Sequence, residues 1–514
     1  MSDNLMIQGT MSGVGKSAIT AGLCRIFKQD GFTPAPFKSQ NMALNSFVTK
    51  DGLEMGRAQV MQAYAAGIEP QVLMNPILLK PTDDKASQVI VKGRPVGNMS
   101  AAEYYTRKKS LIPVIKEAYD TLLGSYSPII IEGAGSPAEI NLKQNDIVNM
   151  GLAAMLDAPV LLVGDIDRGG VFAQLVGTLE LLDADERKRV KGLVINKFRG
   201  DKSLLQDGIR MLEDRTGVPV LGIIPYIHDL NLEDEDSLSD RLMGHRLRDS
   251  SLDDNEDASN IMISVIRLPH ISNFTDFDIF EQIPGVTLIY TADPGILERS
   301  DLIMIPGSKN TIADMEFLRN KNISDTLCKL HGKVPIFGIC GGLQILGGTI
   351  SDPDSVESGG SISGLGLLPI NTVLSTDKRT LRTEGVLNDD ISGIFSTLSG
   401  LCYSGYEIHA GVSFPDNPGS PHAGSEEIPS LPPVISTDSS VYGTYIHGIF
   451  DSAKTAGALI GALSKKKGID TDLSLLLDEK DFREDQYDTL AEVIRSNTDI
   501  GAIRELFCSS PSRH

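Results

Sequence analysis

The sequence predicts an α/β protein with two parallel-sheet domains, the first of which is a doubly wound sheet carrying a phosphate-binding loop. Short apolar segments alternate with helical ones, as expected for strands that helices cover on both faces of a sheet. A polar, acidic stretch at 229–260 interrupts this alternation, which then starts again. The length of 514 residues also exceeds that of one ordinary domain.

Near-continuous β-branched segments define the strands of the first predicted domain, and they lie at 5–9, 127–135, 158–167, 192–198 and 218–225. Between them, helices are predicted over 16–30, with Gly31 as a C-terminal cap, and over 100–123. This alternation predicts a doubly wound sheet, in which ligands bind at the carboxyl ends of the strands.

The second domain repeats the pattern after the acidic stretch, with predicted strands at 261–269, 286–290, 301–307 and 334–340. A stretch rich in Pro, Gly and Ser at 416–438 predicts a surface loop, and 452–507 is predicted to be helical. The predicted organisation is a first domain over 1–228, a linker over 229–260, a second domain over 261–455 and a helical extension over 456–514.

Composition excludes several classes of function. A net charge of -21 argues against binding to nucleic acid or to an anionic membrane surface, although a local basic pocket for a small anion stays open. The N-terminus enters a predicted strand without a signal peptide, and no apolar segment reaches membrane-spanning length. The cysteines form no CxxC pair, which argues against a disulfide framework or a zinc site and favours a reducing cytoplasm. They are Cys24, Cys328, Cys340, Cys402 and Cys508.

The segment GTMSGVGKS at 9–17 follows a strand and opens a helix, which is the context of a phosphate-binding loop. Lys16 is expected to reach the β- and γ-phosphates, and the Ser17 hydroxyl to bind Mg²⁺. The common pattern G-x-x-x-x-G-K-[ST] would place its first glycine at position 10, where this chain has Thr10. The glycine nearest to that position, Gly9, lies one residue earlier. The alternative is a glycine-rich turn with a surface lysine. The residues predicted to bind the nucleotide here are Gly9, Thr10, Gly13, Gly15, Lys16 and Ser17.

Charged and polar residues follow other predicted strands of the first domain, and because these strand ends share one edge of the sheet, they favour a magnesium–nucleotide site. Glu132 is the preferred metal ligand, and a helix cap is the alternative for an isolated carboxylate. The residues concerned are Lys38, Gln40, Asn41, Glu132, Asp165, Asp167 and Arg168.

Cys340 lies in VPIFGICGGLQILG, which predicts a strand, a sharp turn and a helix. Gly338, Gly341 and Gly342 relieve the crowding expected at a nucleophile elbow. A helix N-terminus favours the thiolate, so the pattern predicts a nucleophile. The alternative is a small buried apolar side chain.

A cysteine nucleophile needs a base and an oxyanion site. His447 follows a strand-like segment in VYGTYIHGIF and is the preferred base, with His409 as its rival. The backbone N–H of Gly341 and the turn at Gly307 and Ser308 are the predicted oxyanion donors.

These motifs resemble known families. GICGGLQ with the later GTYIHG resembles the glutamine-hydrolysing domain of class I glutamine amidotransferases. GTMSGVGKS, FKSQNM and EGAGSPAEINL resemble the dethiobiotin-synthetase-like ATP-dependent ligases. Together with MNPILLKP, DIDRGGVFA and NKFRGD, this order is similar to the cobyric acid synthases of the CobB/CobQ family over nearly the whole chain.

The resemblance implies glutamine- and ATP-dependent amidation of the b, d, e and g side-chain carboxylates of (adenosyl)cobyrinic acid a,c-diamide. It implies ATP and Mg²⁺ as cofactors, Cys340 and His447 as catalytic residues, and Lys38 and Asn196 as further ATP-binding residues. Glutamine and a corrinoid are the implied partners, and a homo-oligomer stays open. The basic residues expected to attract the polyanionic corrinoid are Arg57, Lys80, Lys85, Arg168 and Arg199, and the further predicted substrate residues are Gln40, Asn41 and Asp165.

One position departs from many class I amidotransferases, which carry a Glu two residues past the histidine, where this chain has Ile449. The cobyric and cobyrinic acid enzymes share this departure, which leaves the orienting partner of His447 open and allows a dyad. The alternatives are a cobyrinic acid a,c-diamide synthase, which is expected to lack NMALNSF, and a partitioning-type ATPase with an inactive amidotransferase domain.

Overall fold

A computed structural model describes residues 3–81, 86–227, 230, 260–416, 431–436, 440–474 and 476–507. Nearly all of the predicted linker and most of the predicted loop lie outside these residues, as do Lys85 and Cys508. The chain forms two compact units: the first contains Met1–Ala43, Glu54–Leu238 and Arg483–His514, and the second contains Leu44–Leu53 and Ser239–Phe482. These units differ from the predicted domains, because Leu44–Leu53 belongs to the second and the chain from Arg483 onward to the first.

The N-terminal part of the chain alternates strands and helices as predicted. Its strands are β1 (Asn4–Gly9), β2 (Ala35–Phe37), β3 (Gln40–Met42), β4 (Ser46–Val48), β5 (Glu54–Gly56), β6 (Ile77–Pro81), β7 (Ala86–Val91), β8 (Arg94–Ser100), β9 (Ile129–Glu132), β10 (Val160–Asp165), β11 (Val190–Phe198) and β12 (Val220–Pro225). Its helices are α1 (Lys16–Gln29), α2 (Arg57–Ala65), α3 (Ala101–Arg107), α4 (Ile112–Leu123), α5 (Met150–Met155), α6 (Val171–Leu181), α7 (Ala184–Arg187) and α8 (Gln206–Thr216).

The later part contains strands β13 (Ile261–Ile266), β14 (Ile271–Ser272), β15 (Val286–Thr291), β16 (Leu302–Ile305), β17 (Gly307–Ser308), β18 (Ile336–Ile339), β19 (Thr349–Asp352), β20 (Gly360–Ser363), β21 (Ile370–Val386), β22 (Cys402–Pro415), β23 (Ile435–Ser436) and β24 (Val441–Thr444). Its helices are α9 (Asp278–Glu281), α10 (Pro294–Leu297), α11 (Thr311–Asn320), α12 (Ile323–Leu330), α13 (Gly341–Leu346), α14 (Ala453–Lys467), α15 (Glu479–Asn497) and α16 (Ile500–Glu505).

The main sheet of the first unit is parallel, in the order β12-β11-β10-β1-β9-β2, which confirms the predicted doubly wound class. Strand β1 lies between β9 and β10, so the loop that follows it opens where several strand ends meet. The apolar side chains of β1, including Leu5 and Ile7, are fully buried. The C-terminal helix α15 packs its residues Leu490 and Ile494 against α1 at Gly22, where a Cβ would lie 2.3 Å from the Ile494 Cδ1.

A second sheet of the first unit, in the order β3-β6-β7-β8, was not among the predicted elements. Its hairpin β7–β8 turns at Lys92 and Gly93, which have φ angles of 46° and 77°. Two adjacent positive φ angles are typical of a tight hairpin turn. The Lys-Gly pair that follows the apolar segment of β7 was therefore a usable but weak signal of a hairpin turn.

The main sheet of the second unit has the order β15-β13-β16-β18-β24-β23 and is parallel except for β23. Its predicted strands are confirmed. Neighbouring strands β13, β16, β18 and β24 all end at the same edge, so the segments that follow them converge there. No helix among the described residues combines the length and apolarity that crossing a membrane requires.

A smaller sheet, β20-β19-β21-β22, covers part of the second unit and is dominated by the long antiparallel pair β21 and β22. It was not predicted, because β21 (INTVLSTDKRTLRTEGV) is largely polar and lacks the apolar alternation of a half-buried strand. This sheet matters for function because β22 brings Tyr406 and Ile408 to the strand edge described next.

Candidate active site

Cys340 sits at a sharp turn between β18 and α13, with φ 53° and ψ −106°. Positive φ is strained for a residue with a Cβ, and such strain marks nucleophile elbows. The neighbouring glycines are required by contact: a Cβ on Gly341 would lie 2.6 Å from the Ser308 backbone N, and one on Gly342 would lie 2.1 Å from the Ile305 O. The Cys340 Sγ lies 3.7 Å from the Ile408 carbonyl oxygen.

His447 follows β24, the strand next to β18, and its imidazole lies near enough to the Cys340 side chain for that side chain to raise the pKa of His447. On the other side of the ring, Nδ1–H donates to the Asp276 Oδ2 at 2.7 Å. The backbone N–H of Gly448 donates to Oδ1 of the same carboxylate at 2.9 Å. The three side chains form a cysteine–histidine–aspartate arrangement, which orients an imidazole for proton transfer to and from a nucleophile.

Opposing effects set the pKa of His447, which is almost completely buried. Burial alone lowers the pKa of an imidazole, because it disfavours the charged form. The Asp276 carboxylate and the Cys340 side chain outweigh burial and raise the pKa of His447 from 6.5 to about 10. The imidazole therefore carries a proton at neutral pH.

The predicted oxyanion residues lie beside this arrangement. Gly307 and Ser308 form β17, directly after β16, and the Ser308 backbone N borders Gly341. A Cβ on Gly307 would lie 3.3 Å from the His447 Cε1. The structure thus places Ser308 beside Gly341 and Gly307 beside His447, and their role as oxyanion donors stays a prediction.

Asp276, which sequence reasoning missed, takes the orienting position that Ile449 cannot fill, because Ile449 is a buried apolar side chain. The rival base His409 has other partners: its Nδ1 is 2.6 Å from the Gly411 O, and its Nε2 is 3.2 Å from the Glu407 Oε2. The usable signal for Asp276 was its place shortly after the predicted strand at 261–269, whose end lies at the same sheet edge.

The phosphate-binding loop has the backbone that its glycines predict. Gly13 and Gly15 have φ angles of 74° and 92°, and a Cβ on Gly15 would lie 2.3 Å from the Asn196 Nδ2. That Nδ2 donates to the Val14 O at 2.8 Å, which fixes Asn196 against the loop. The Lys16 Nζ donates to the Met11 O at 3.0 Å. Backbone N–H groups at such a turn and helix N-terminus suit phosphate.

Glu132 is the centre of a buried polar cluster at the end of β9. Its Oε1 accepts from the Ser17 hydroxyl and from the Lys38 Nζ, each at 2.9 Å, and its Oε2 accepts from the Gln62 Nε2. Burial raises the pKa of a carboxyl, but Lys38, Gln62 and Lys16 outweigh burial and hold the pKa of Glu132 below its usual value. The carboxylate is therefore ionised at neutral pH.

This cluster fits Mg²⁺ bound together with nucleotide phosphates. Mg²⁺ in such sites uses one or two protein oxygens plus phosphates and water, and Ser17 with Glu132 offers a hydroxyl and a carboxylate. Within the ranges that the structure describes, no three His, Cys, Asp or Glu side chains form a metal site of their own. A metal here would therefore depend on the phosphates.

The remaining predicted residues of the phosphate-binding loop lie at its start. Gly9 ends β1, where a Cβ would lie 2.5 Å from the Val14 Cγ2. The Thr10 backbone N–H donates to the Val163 O at 2.9 Å. Lys197, which was not predicted, donates to the Gly13 O at 2.6 Å and thus also holds the loop.

Asp165 is buried at the end of β10, and its Oδ2 pairs with the Lys197 Nζ at 3.2 Å. Arg168 is exposed, and its Nη2 would lie 3.8 Å from a Cβ on Gly13. The Arg199 guanidinium pairs with the Asp167 carboxylate at 2.7 Å. The strand ends of the first unit therefore do gather charged groups around the loop.

Among the described residues, several of those predicted to bind the corrinoid make internal contacts. Asn41 donates to the Gln59 Oε1 at 3.0 Å, and Gln40 accepts from the Tyr104 hydroxyl at 2.7 Å. The Lys80 Nζ is buried and paired with the Glu54 Oε1 at 2.9 Å, so it is not an open cation. Arg57 is also buried, at the start of α2.

Known proteins match both units. A family model described as a CobQ/CobB/MinD/ParA nucleotide binding domain matches residues 5–239. A family model described as a CobB/CobQ-like glutamine amidotransferase domain matches residues 262–455. Together these two matches account for most of the chain.

Curated relatives extend over the full length. The chain is 50% identical to the cobyric acid synthase of Lachnoclostridium phytofermentans, over 98% of this chain and 99% of that protein. It is 49% identical to the cobyric acid synthase of Ruminiclostridium cellulolyticum, over 97% of this chain and 96% of that protein. It is 47% identical to the cobyric acid synthase of Caldanaerobacter subterraneus, over 98% of this chain and 99% of that protein. These findings confirm the predicted resemblance.

Proposed function

The chain belongs to the cobyric acid synthase family, and we propose that it amidates the b, d, e and g side-chain carboxylates of (adenosyl)cobyrinic acid a,c-diamide. Glutamine-dependent amidation in cobalamin biosynthesis, driven by ATP, is the activity of this family. The observation that carries the proposal is the Cys340–His447–Asp276 arrangement, in the same chain as a phosphate-binding loop next to Glu132.

Glutamine hydrolysis belongs to the second unit. The Cys340 thiolate attacks the side-chain amide carbon of glutamine, forming an S–C bond, and the C–N bond then breaks as His447 gives its proton to the departing ammonia. Water hydrolyses the thioester to glutamate, with His447 as the base. The backbone N–H groups of Gly341 and Ser308 stabilise the negative oxygen in both steps.

Carboxylate activation belongs to the first unit, since a carboxylate does not react with ammonia unaided. ATP supplies a phosphoryl group that converts the carboxylate to an acyl phosphate, which ammonia attacks with release of phosphate. Lys16 and Lys38 neutralise charge that develops during phosphoryl transfer. Ser17 and Glu132 would hold Mg²⁺, which supplies further positive charge next to the phosphates.

The main rival, a cobyrinic acid a,c-diamide synthase, would use the same two chemistries. The presence of NMALNSF at 41–47 and full-length similarity to cobyric acid synthases favour the proposed substrate. For recognition of the polyanionic corrinoid, Arg168 is the best-placed of the predicted cations, because it is exposed near the loop. Arg57 and Lys80 would require the side chains around them to rearrange.

The direct test is to incubate the protein with ATP, Mg²⁺, glutamine and the corrinoid diamide, and to locate the new amides in the product by mass and NMR spectroscopy. We expect amides at b, d, e and g. In a parallel incubation with cobyrinic acid, amidation at a and c by a protein that leaves the diamide unchanged would replace this proposal with the rival. ATP and glutamine turnover without an amidated corrinoid would contradict both.

A further inference from the structure

Residues Leu44–Leu53, called here the inserted segment, belong to the second unit although they lie within the N-terminal half of the sequence. They also lie outside residues 262–455, which match the glutamine amidotransferase family. The inserted segment begins a few positions after Lys38, which contacts Glu132 in the first unit. One continuous stretch of chain therefore contributes residues to both units.

Asn45 contacts the turn that carries Asp276. Its Oδ1 accepts the backbone N–H of Asn273 at 2.7 Å, and Asn45 and Asn273 are both buried. Asn273 has φ 53°, a conformation that Asn tolerates better than most residues. The carbonyl of Asn273 accepts the backbone N–H of Asp276 at 3.3 Å. Asn45 thus holds the first residue of the turn that presents the Asp276 carboxylate to His447.

The same turn and the inserted segment also contact Tyr406, whose ring stacks on the His447 imidazole. The two ring centroids are 5.2 Å apart and the planes differ by 18°. The Asn273 Nδ2 donates to the Tyr406 hydroxyl at 3.1 Å. The Phe47 ring packs against Tyr406 with centroids 5.8 Å apart. Backbone hydrogen bonds in both directions, of 2.9 and 3.1 Å, join Tyr406 to His447.

Arg382 fastens the inserted segment to the strand pair that carries Tyr406. It lies on β21 opposite Tyr406 on β22. Its guanidinium carbon is 4.9 Å from the Phe47 ring centroid, and its Nε donates to the Val48 O at 3.1 Å. The segment is therefore held at a side chain and at its backbone, as a fixed support requires.

We propose that Asn45 and Phe47 are positioning residues for the glutamine-hydrolysing site: Asn45 holds the Asp276 turn, and Phe47 holds the Tyr406 ring against His447. The inference rests on the proposed function and adds to it a support that comes from outside the amidotransferase domain. Both residues act through the two groups that set the orientation of the His447 imidazole.

The test compares full-length variants at Asn45. Asn45→Leu removes the acceptor for the Asn273 N–H at similar size, whereas Asn45→Asp keeps an acceptor oxygen. Asp51→Asn, at an exposed position of the same segment, is the matched control. We expect Asn45→Leu to lower kcat for glutamine-dependent amidation about tenfold, the effect of losing one buried hydrogen bond. The KM for glutamine and the ammonia-dependent rate should stay unchanged, and Asn45→Asp should restore most of the activity.

A second variant and a second readout keep the test decisive. Phe47→Leu should slow the alkylation of Cys340 by a glutamine-analogue diazoketone and shift the pH profile of that alkylation, because the imidazole is no longer held in place. Wild-type kcat in Asn45→Leu, or an equal loss of glutamine- and ammonia-dependent rates, would overturn the inference. If instead the wild-type protein shows no glutamine-dependent amidation, the proposed function itself fails.

Discussion

The two chemical centres lie at the same kind of place, the carboxyl ends of parallel strands, but they balance their charges differently. In the second unit, the Asp276 carboxylate contacts the His447 imidazole, and both Asp276 and Cys340 raise the pKa of that imidazole. In the first unit, Lys38 and Ser17 turn inward to Glu132, and Lys16 bonds the Met11 carbonyl of its own loop. The second unit thus pairs a carboxylate with an imidazole, whereas the cationic groups of the first unit are held by internal partners that bound phosphates would replace.

This difference predicts that the two activities can be separated by single substitutions. The largest expected effect is that of Cys340→Ala, which removes the nucleophile. Glutamine-dependent amidation should be abolished, while amidation with added ammonia should continue, because the first unit keeps all its groups. Parallel rate measurements with glutamine and with ammonium chloride check this. Loss of both activities would mean that the centres are not separable.

Asp276→Asn should weaken only the glutamine site, because the amide can neither balance the imidazolium charge nor fix the same tautomer. We expect glutamine-dependent kcat to fall by about 10²–10⁴, the range expected for a cysteine site built like a serine triad. Ammonia-dependent amidation should remain. A wild-type rate would show that Cys340 and His447 work as a dyad.

Glu132→Gln should give the opposite pattern. Removing this charge leaves Lys38 without its carboxylate partner and removes the oxygen predicted to bind Mg²⁺. Amidation with either nitrogen source should fall by about 10²–10³, as when an electrostatic partner of a transition state is lost. Alkylation of Cys340 by the glutamine analogue should continue at the wild-type rate, and a slower alkylation would contradict the separation.

The smallest expected effect is on stability. The pKa of His447 rises from 6.5 in an open chain to about 10 in the fold. A group that holds its proton more tightly when folded stabilises the fold fully below the lower value and loses that contribution as pH rises through the higher one. The free energy of unfolding should therefore decrease between pH 6.5 and about 10.

Chemical denaturation of Cys340→Ala and of the double variant Cys340→Ala/Asp276→Asn would measure this effect without ionisation of the thiol. Cys340→Ala should show the decrease, and the double variant should show a flatter pH profile because the carboxylate that raises the pKa is gone. Identical profiles would mean that Asp276 does not set the protonation of His447.

Local patterns predicted most of what the two centres contain. The role of the glycines beside each functional side chain could be predicted, because each glycine lies within a few residues of that side chain. These are Gly341 and Gly342 next to Cys340, and Gly13 and Gly15 before Lys16. The main parallel strands were predictable for a similar reason, since strands buried on both faces are continuously apolar.

Long-range partners were beyond this kind of reasoning. Asp276 precedes His447 by 171 positions, and Asn45 precedes Asn273 by 228. Nothing in their local sequence identifies these pairs, because they meet only through the order of strands in the sheet and the path of the inserted segment. Strand β21 was missed because its polar residues follow no single period, whereas β22 was overlooked although apolar residues alternate with polar or small ones from Tyr406 to Phe414.

The central claim is that nitrogen released at Cys340 is the nitrogen that reaches the carboxylate activated in the first unit. Glutamine labelled with ¹⁵N in its side-chain amide, supplied with ATP, Mg²⁺ and the corrinoid diamide, tests this by mass spectrometry of the product. We expect ¹⁵N in each new amide with wild-type protein, and none with Cys340→Ala in the presence of unlabelled ammonia. A product that forms without ¹⁵N while labelled glutamine is hydrolysed would contradict it.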